Sequence, residues 1–266
     1  MTDHLIETFD EGIATLTFNR PDARNALTQE IIEALSKAAP RLAVDPKVRA
    51  VVITGAGSAF CAGGDVKGFV APRAEGAIAP SFDERVNSLR AGADFARWLH
   101  EMPKPTLAII PGACAGAGMS IALACDMRIA ADNAKLTTAF SKIGASGDYG
   151  GSYFLTKLVG PAKARELYFT ADVITGAEAA SLGIVNRAIP AADLATEGTA
   201  LARKLAALPT VAIGYMKKNL NMAEHGTLAS VLDVEAIHMV RTMQTEDHKQ
   251  ASLAFVEKRP PVFKGR

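Results

Sequence analysis

The chain has 266 residues, 29 Lys+Arg against 28 Asp+Glu and 49% hydrophobic residues, enough for one large domain or a domain with an appendage. The near-zero net charge, with both signs interspersed, excludes a strongly basic or acidic face and predicts no nucleic-acid partner and no anionic membrane surface. Three widely spaced cysteines, the absence of an apolar run of ~18 residues, and an N-terminus without a basic-then-apolar leader predict reduced thiols, no membrane span and a cytoplasmic protein.

In chain order, Leu5–Phe9 and Ile13–Phe18 flank Asp10-Glu11-Gly12 and predict a hairpin, followed by a helix from Thr28, its N-cap, to about Leu42. Apolar runs predict strands at Val51–Thr54, Leu107–Ile110, Met127–Ala130 and Val185–Ile189. Between or beside them, helices are expected near Phe82–Met102, Ala117–Cys125, Ser152–Leu158, Ala162–Tyr168 and Ala177–Leu182. The alternation predicts an α/β core over residues 1–191. Residues 192–266 read as amphipathic helices with breaks at Pro209 and Gly226, a segment that needs something to pack on, partner subunits included. Ala71–Pro80, rich in Ala, Pro and Gly, reads as a mobile loop.

Two strands run into small-residue loops. The first is Ala59-Phe60-Cys61-Ala62-Gly63-Gly64-Asp65, and the second is Pro111-Gly112-Ala113-Cys114-Ala115-Gly116-Ala117-Gly118-Met119-Ser120, which leads into a helix. Loops without bulky side chains expose backbone N–H groups, and a helix starting near Ala117 adds the positive end of its dipole, which together outline an oxyanion hole. Taken singly, each loop reads better as a tight strand-to-helix turn, in which Gly and Ala only permit close packing. Neither fits a dinucleotide or phosphate-loop fingerprint, no Gly-x-Ser-x-Gly elbow occurs, and no histidine has a spacing to Cys or a carboxylate that suggests a metal site.

Asn19-Arg20-Pro21-Asp22-Ala23-Arg24-Asn25-Ala26-Leu27, Val52–Gly57, Ala59–Asp65 and Gly112–Asp126 follow one another in an order that resembles the crotonase (enoyl-CoA hydratase/isomerase) superfamily. The likeness continues through Gly160–Ala164 and Ala179–Asn186 to Phe255-Val256-Glu257-Lys258-Arg259, so it covers essentially the whole chain. It implies a spiral of β-β-α turns with a C-terminal helical oligomerisation segment, a homo-trimer or hexamer, and an acyl-CoA thioester as substrate. Coenzyme A is then part of that substrate and no separate cofactor is implied.

The resemblance also implies roles for residues. The oxyanion donors would be the N–H groups of Gly64 and Ala117. Arg24, Ala26, Ala62 and Lys67 match places that bind the CoA nucleotide and phosphates, and Phe255 and Lys258 match a segment that reaches a neighbour's CoA. The two glutamates with which the family's hydratases activate water fall on Ser120 and Phe140, neither of them a carboxylate; Phe140 instead joins the acyl-binding residues. Asp148, just before Gly150-Gly151, matches the acid of several enoyl-CoA isomerases and of a dehalogenase. The dehalogenase pattern also has a histidine where this chain has Ala93 and a tryptophan where it has Phe140.

Asp148 is therefore either the base of a double-bond isomerase or a helix cap held as a permanent anion. Ser146 and Tyr149 flank it, where loop packing and hydrogen bonding to substrate are both open. The expected activity is a double-bond shift through a thioester enolate. Hydration, hydrolysis or dehalogenation of a specialised substrate, and a non-catalytic acyl-CoA-binding scaffold, are the alternatives.

Overall fold

The computed structural model describes residues 3–65 and 79–266. Strands β1 (Leu5–Asp10) and β2 (Ile13–Phe18) form the expected hairpin, and Thr28 caps helix α1 (Gln29–Val44), its side chain accepting the Ile31 N–H. From there one path repeats. Strand β3 (Ala50–Gly55) is followed by the short β4 (Ala59–Cys61), and α2 (Phe82–Glu101) comes next among the described elements, opened by a Ser81/Glu84 capping box. Then come β5 (Thr106–Ile110), β6 (Ala113–Ala115) and α3 (Ala117–Ala124), and after them β7 (Met127–Ala131), β8 (Lys135–Thr137) and α4 (Gly151–Thr170). Each round places one strand in each of two sheets, which is the β-β-α spiral.

The first sheet has six strands in the order β1-β2-β3-β5-β7-β10, parallel from β2 onward, where β10 is Arg187–Ile189. Val51, Val52 and Ile53 of β3 are buried on both faces, as a central parallel strand requires. The second sheet, β4-β6-β8-β9 with β9 at Ile174–Thr175, is built of strands two or three residues long. The sequence reading missed this sheet. The stretch read as a loop from Ala59 begins with a strand and the one from Pro111 contains one from Ala113, and three residues are too few to show a periodicity. The expected strand from Val185 begins only at Arg187, although Val185 is buried.

Helix α4 contains a break at Gly160 (φ 75°, ψ 166°) ahead of Pro161, which separates the two helices expected there. The capping box of Thr175 and Glu178 opens α5 (Gly176–Ser181). Helices α6 (Leu194–Ala206), α7 (Thr210–Ala223), α8 (Leu228–Met243) and α9 (Glu246–Val256) complete the chain. Leu194, Leu201, Ala202 and Ala206 of α6 join the same core as the six-stranded sheet, whereas α8 buries none of its residues. Among the described residues no helix is long and apolar enough to cross a membrane. The expected loop at Ala71–Pro80 falls, for residues 71–78, outside the described residues.

Candidate active site

Asn25 is completely buried and knits three segments together. Its Oδ1 accepts the Arg20 N–H, and its Nδ2 donates to the carbonyls of Ala56 (3.0 Å) and Ala59 (2.7 Å). The Ala62 N–H reaches Arg24 O (3.0 Å), the Leu27 N–H reaches Gly63 O (2.8 Å), and the Asp65 N–H reaches Leu27 O (3.1 Å). Arg20 closes the arrangement with Asp65 (3.1 Å) and the Ala26 carbonyl (2.9 Å). Arg24, Ala26 and Ala62, expected at the CoA moiety, are thus brought beside Gly64. Lys67 lies outside the described residues. The bracing by Asn25 and Arg20 was not singled out from sequence, since the two carbonyls that Asn25 donates to lie 31 and 34 residues away and Asp65 lies 45 residues from Arg20.

The second loop lies against the first. A Cβ placed on Gly63 (φ 94°) would stand 3.1 Å from Ala115 O and 3.5 Å from Ala117 N, so only glycine permits this approach. Gly118 is tighter still, with its Cβ position 2.3 Å from Cys61 O, which presses the start of α3 onto the end of β4. Ala117 is the first residue of α3, whose N-cap, Gly116 (φ 52°, ψ −127°), supplies no side-chain cap. Gly64 pairs with Leu27 through its neighbours' groups rather than its own N–H. Among the described residues, neither the Gly64 nor the Ala117 N–H has an acceptor, and they sit on adjoining loops, one of them at a helix start. That pair can take a carbonyl oxygen as it gains negative charge.

Asp148 does not cap α4. The N-cap of that helix is Gly150 (φ 73°) and receives no side-chain hydrogen bond, and Asp148 contributes only its backbone carbonyl, to Gly151 N (3.1 Å). Among the described residues, its Oδ1 is buried without a hydrogen-bond partner. Burial with no compensating donor raises the carboxyl from its ordinary value of 3.8 to about 6. Its charge helps hold the Tyr168 hydroxyl at about 12, behind the larger effect of burial, and it adds a minor upward push to the buried Cys61 thiol, also at about 12. Cys61 is therefore inert at neutral pH.

The remaining neighbours are apolar or hydroxyl-bearing. Phe140 is buried and stacks on Tyr168 (6.1 Å, 12° between planes), and Gly147 packs against both rings. Ser120 is buried with its hydroxyl on Gly116 O (3.3 Å). Sequence alone did not find Tyr168, which lies 20 residues beyond Asp148 along the chain with no local motif to mark it. Phe255 and Lys258 are exposed at the far end of the chain, with no hydrogen bond to either loop. Among the described residues there is no cluster of three His, Cys, Asp or Glu that could hold a metal.

Comparison with known proteins shows what the chain as a whole is similar to. A sequence profile of the enoyl-CoA hydratase/isomerase family matches residues 8–266. The chain is 32% identical over 266 residues to the 1,2-epoxyphenylacetyl-CoA isomerase of Escherichia coli K12, covering 100% of both chains. It is 36% identical over 260 residues to a Mycobacterium bovis protein described as a probable enoyl-CoA hydratase, covering 97% of this chain and 96% of that one. A Thermobifida fusca relative solved in complex with CoA superposes with a TM-score of 0.83 at 32% identity, over 96% of this chain and 95% of the other.

Proposed function

The chain belongs to the enoyl-CoA hydratase/isomerase family of acyl-CoA-processing enzymes, and from that premise we propose that it shifts a double bond in an enoyl-CoA through a thioester enolate, with Asp148 as base. The observation that carries this reading is the buried, unpartnered carboxylate oxygen of Asp148, raised to about 6. A structural carboxylate at a helix start would be hydrogen-bonded and depressed, whereas a base working near neutral pH needs a raised value. The Thermobifida fusca relative was solved with CoA, and the Escherichia coli relative is named as an isomerase, which supports the substrate and the reaction class.

The enolate oxygen would sit on the N–H groups of Gly64 and Ala117, Asp148 would take the α-proton, and the same carboxyl would return it at the γ carbon. The CoA moiety would lie along Arg24, Ala26, Ala62 and Lys67, and no cofactor is required. A thioester α-proton is on the order of 15 pK units less acidic than a carboxyl group, a gap of ~20 kcal/mol. Two oxyanion donors supply roughly 5–8 kcal/mol of it. The raised Asp148 adds about 3 kcal/mol, at 1.36 per unit. The remainder has to come from the substrate, and a β,γ double bond that conjugates with the enolate provides it.

Several relatives are named hydratases, which keeps hydration as the second reading. Against it, Ser120 and Phe140 stand where that chemistry places glutamates, and neither can activate water as a carboxylate. Asp148→Asn tests the assignment. It should abolish conversion of a β,γ-enoyl-CoA to its α,β isomer and exchange of the α-proton with deuterated solvent, with acyl-CoA affinity within a few-fold of wild type. Unchanged turnover and exchange in the folded variant would return the non-catalytic scaffold to first place, and hydration of an α,β-enoyl-CoA without isomerisation would favour the second reading.

A further inference from the structure

Every residue of α3 is buried, and in a helix otherwise built of Ala, Gly, Met, Ile and Leu only Ser120 carries a hydroxyl. A buried hydroxyl needs a partner. Ser120 Oγ finds one by donating to Gly116 O (3.3 Å), the carbonyl that also accepts the Ser120 N–H (3.0 Å). Ser36 and Ser181 make the same backward bond from exposed faces of their helices, where water serves as well. What sets Ser120 apart is the identity of the carbonyl. Gly116 C=O and Ala117 N–H are the two ends of one peptide group, and that N–H is the donor assigned above to the thioester oxygen.

The surroundings fix this peptide group. The Gly116 N–H donates to Thr137 O (3.1 Å) of β8, the Gly116 carbonyl takes both bonds from Ser120, and among the described residues the Ala117 N–H has no acceptor. Behind Ser120 stands Tyr168. Ser120 Oγ and Tyr168 Oη lie 2.2 Å and 2.6 Å from the Cβ position of Gly151, so both hydroxyls crowd the start of α4. Burial and the nearby Asp148 charge hold the Tyr168 phenol at about 12, so it keeps its proton. With the Ser120 proton given to Gly116 O, the hydrogen bond between the two hydroxyls runs from Tyr168 to the Ser120 oxygen. Two hydroxyl dipoles and a peptide dipole then line up head to tail, with their positive end at the Ala117 N–H, and such chains polarise one another.

Building on the thioester-enolate reading above, we propose that Ser120 is a positioning residue for the reaction: its hydroxyl polarises the Gly116–Ala117 peptide and makes the Ala117 N–H a stronger donor to the enolate oxygen. At the place where the resemblance puts a hydratase's glutamate, this chain has a residue that serves the thioester oxygen instead of a water. A whole oxyanion donor is worth roughly 10²–10³-fold in kcat, and cooperative strengthening is roughly 10–30% per bond. Loss of the Ser120 bond should therefore lower kcat about two- to eightfold.

The test reads the carbonyl directly. Hexanoyl-CoA labelled with ¹³C at the thioester carbonyl has no double bond to shift, and in its complex with the wild type the C=O stretch should lie at lower infrared frequency than in the free thioester. Ser120→Ala removes the hydroxyl, and Ser120→Cys keeps its bulk but donates only weakly. In both variants the stretch should return part of the way toward that of the free thioester, and kcat for a β,γ-enoyl-CoA should fall about two- to eightfold. Hexanoyl-CoA affinity should stay within about twofold of wild type, because the stronger donor favours the charged oxygen over the neutral one. The acid limb of kcat/KM should remain near pH 6, since neither variant changes a charge beside Asp148. A stretch or a kcat that keeps its wild-type value in both variants overturns the proposal. So does Ser120→Cys behaving as wild type while Ser120→Ala does not, which is the mark of a packing role, and the enolate reading survives either result. A carbonyl that is not shifted at all in the wild-type complex overturns the proposal together with the oxyanion assignment on which it rests.

Discussion

At Asp148, activity and stability pull in opposite directions. An unfolded aspartate titrates near 3.8 and this one near 6 when folded. Below 3.8 both states hold the proton and the residue costs nothing. As pH rises through about 6 the folded state must carry a poorly solvated charge, so stability declines across that window and stays lower above it. The two-unit gap corresponds to about 3 kcal/mol, reduced by partial exposure to roughly 1–2. Asp148→Asn is therefore expected to be more stable than wild type by roughly 1–2 kcal/mol at pH 7.5 and equal to it at pH 3.5, in urea unfolding. In the wild type, kcat/KM should fall below about pH 6 as the base is protonated, and a flat profile from pH 5 to 8 would contradict the assignment. Ser120 makes the complementary case. The Cβ position of Gly151 is 2.2 Å from Ser120 Oγ and 2.6 Å from Tyr168 Oη, so the space a glutamate would need is occupied. Ser120→Glu should cost roughly 2–4 kcal/mol by overpacking and burying a charge, and should not create hydratase activity.

The proposed oxyanion hole belongs to the scale of elements, because its two N–H groups meet only where β4 and α3 are pressed together. The Gly64 N–H has no acceptor among the described residues, so Gly64→Pro removes no internal hydrogen bond of the fold. It should lower kcat roughly 10²–10³-fold, with Gly64→Ala losing less. A folded Gly64→Pro enzyme with wild-type rates would show that the oxygen binds elsewhere. The same elements mark what the sequence could and could not say. The six-stranded sheet was legible because β3, β5 and β7 are apolar runs, and Thr28 announced α1. The four-stranded sheet was not, since Ala59–Cys61 and Ala113–Ala115 pair only after both loops have folded and carry no pattern of their own. Gly64, Ala117 and Asp148 were marked in the sequence only through the family resemblance, as expected donors and expected acid. What Asp148 does depends on the absence of a cap at Gly150 and on the Phe140–Tyr168 stack, and both of these are tertiary facts.

For the whole molecule, the C-terminal helices leave apolar surface that the single chain does not cover. Leu228, Leu232, Met239 and Met243 fall on one face of α8 at spacings of four, seven and four, all of them exposed, and Phe255 beyond them is 85% exposed. A continuous apolar face of this kind is unusual on a monomer and marks an interaction surface. With α6 already packed on the sheet, the unpartnered part of the segment begins later than residue 192, in α8 and α9. Closed symmetry would bury the same face on each copy, and the family resemblance implies a trimer or a pair of trimers. Sedimentation at micromolar concentration should therefore give a trimer or hexamer. Leu232→Asp with Met239→Asp places two charges in that face and should shift the protein toward monomer without unfolding it, because neither side chain is part of the core. If Phe255 and Lys258 of one copy reach the CoA of the next, the dissociated variant should also show a raised KM for acyl-CoA at nearly unchanged kcat, since Asp148, Gly64 and Ala117 come from a single chain. A wild-type protein that sediments as a monomer would remove any role for Phe255 and Lys258 in a neighbour's site and leave the α8 face without an occupant.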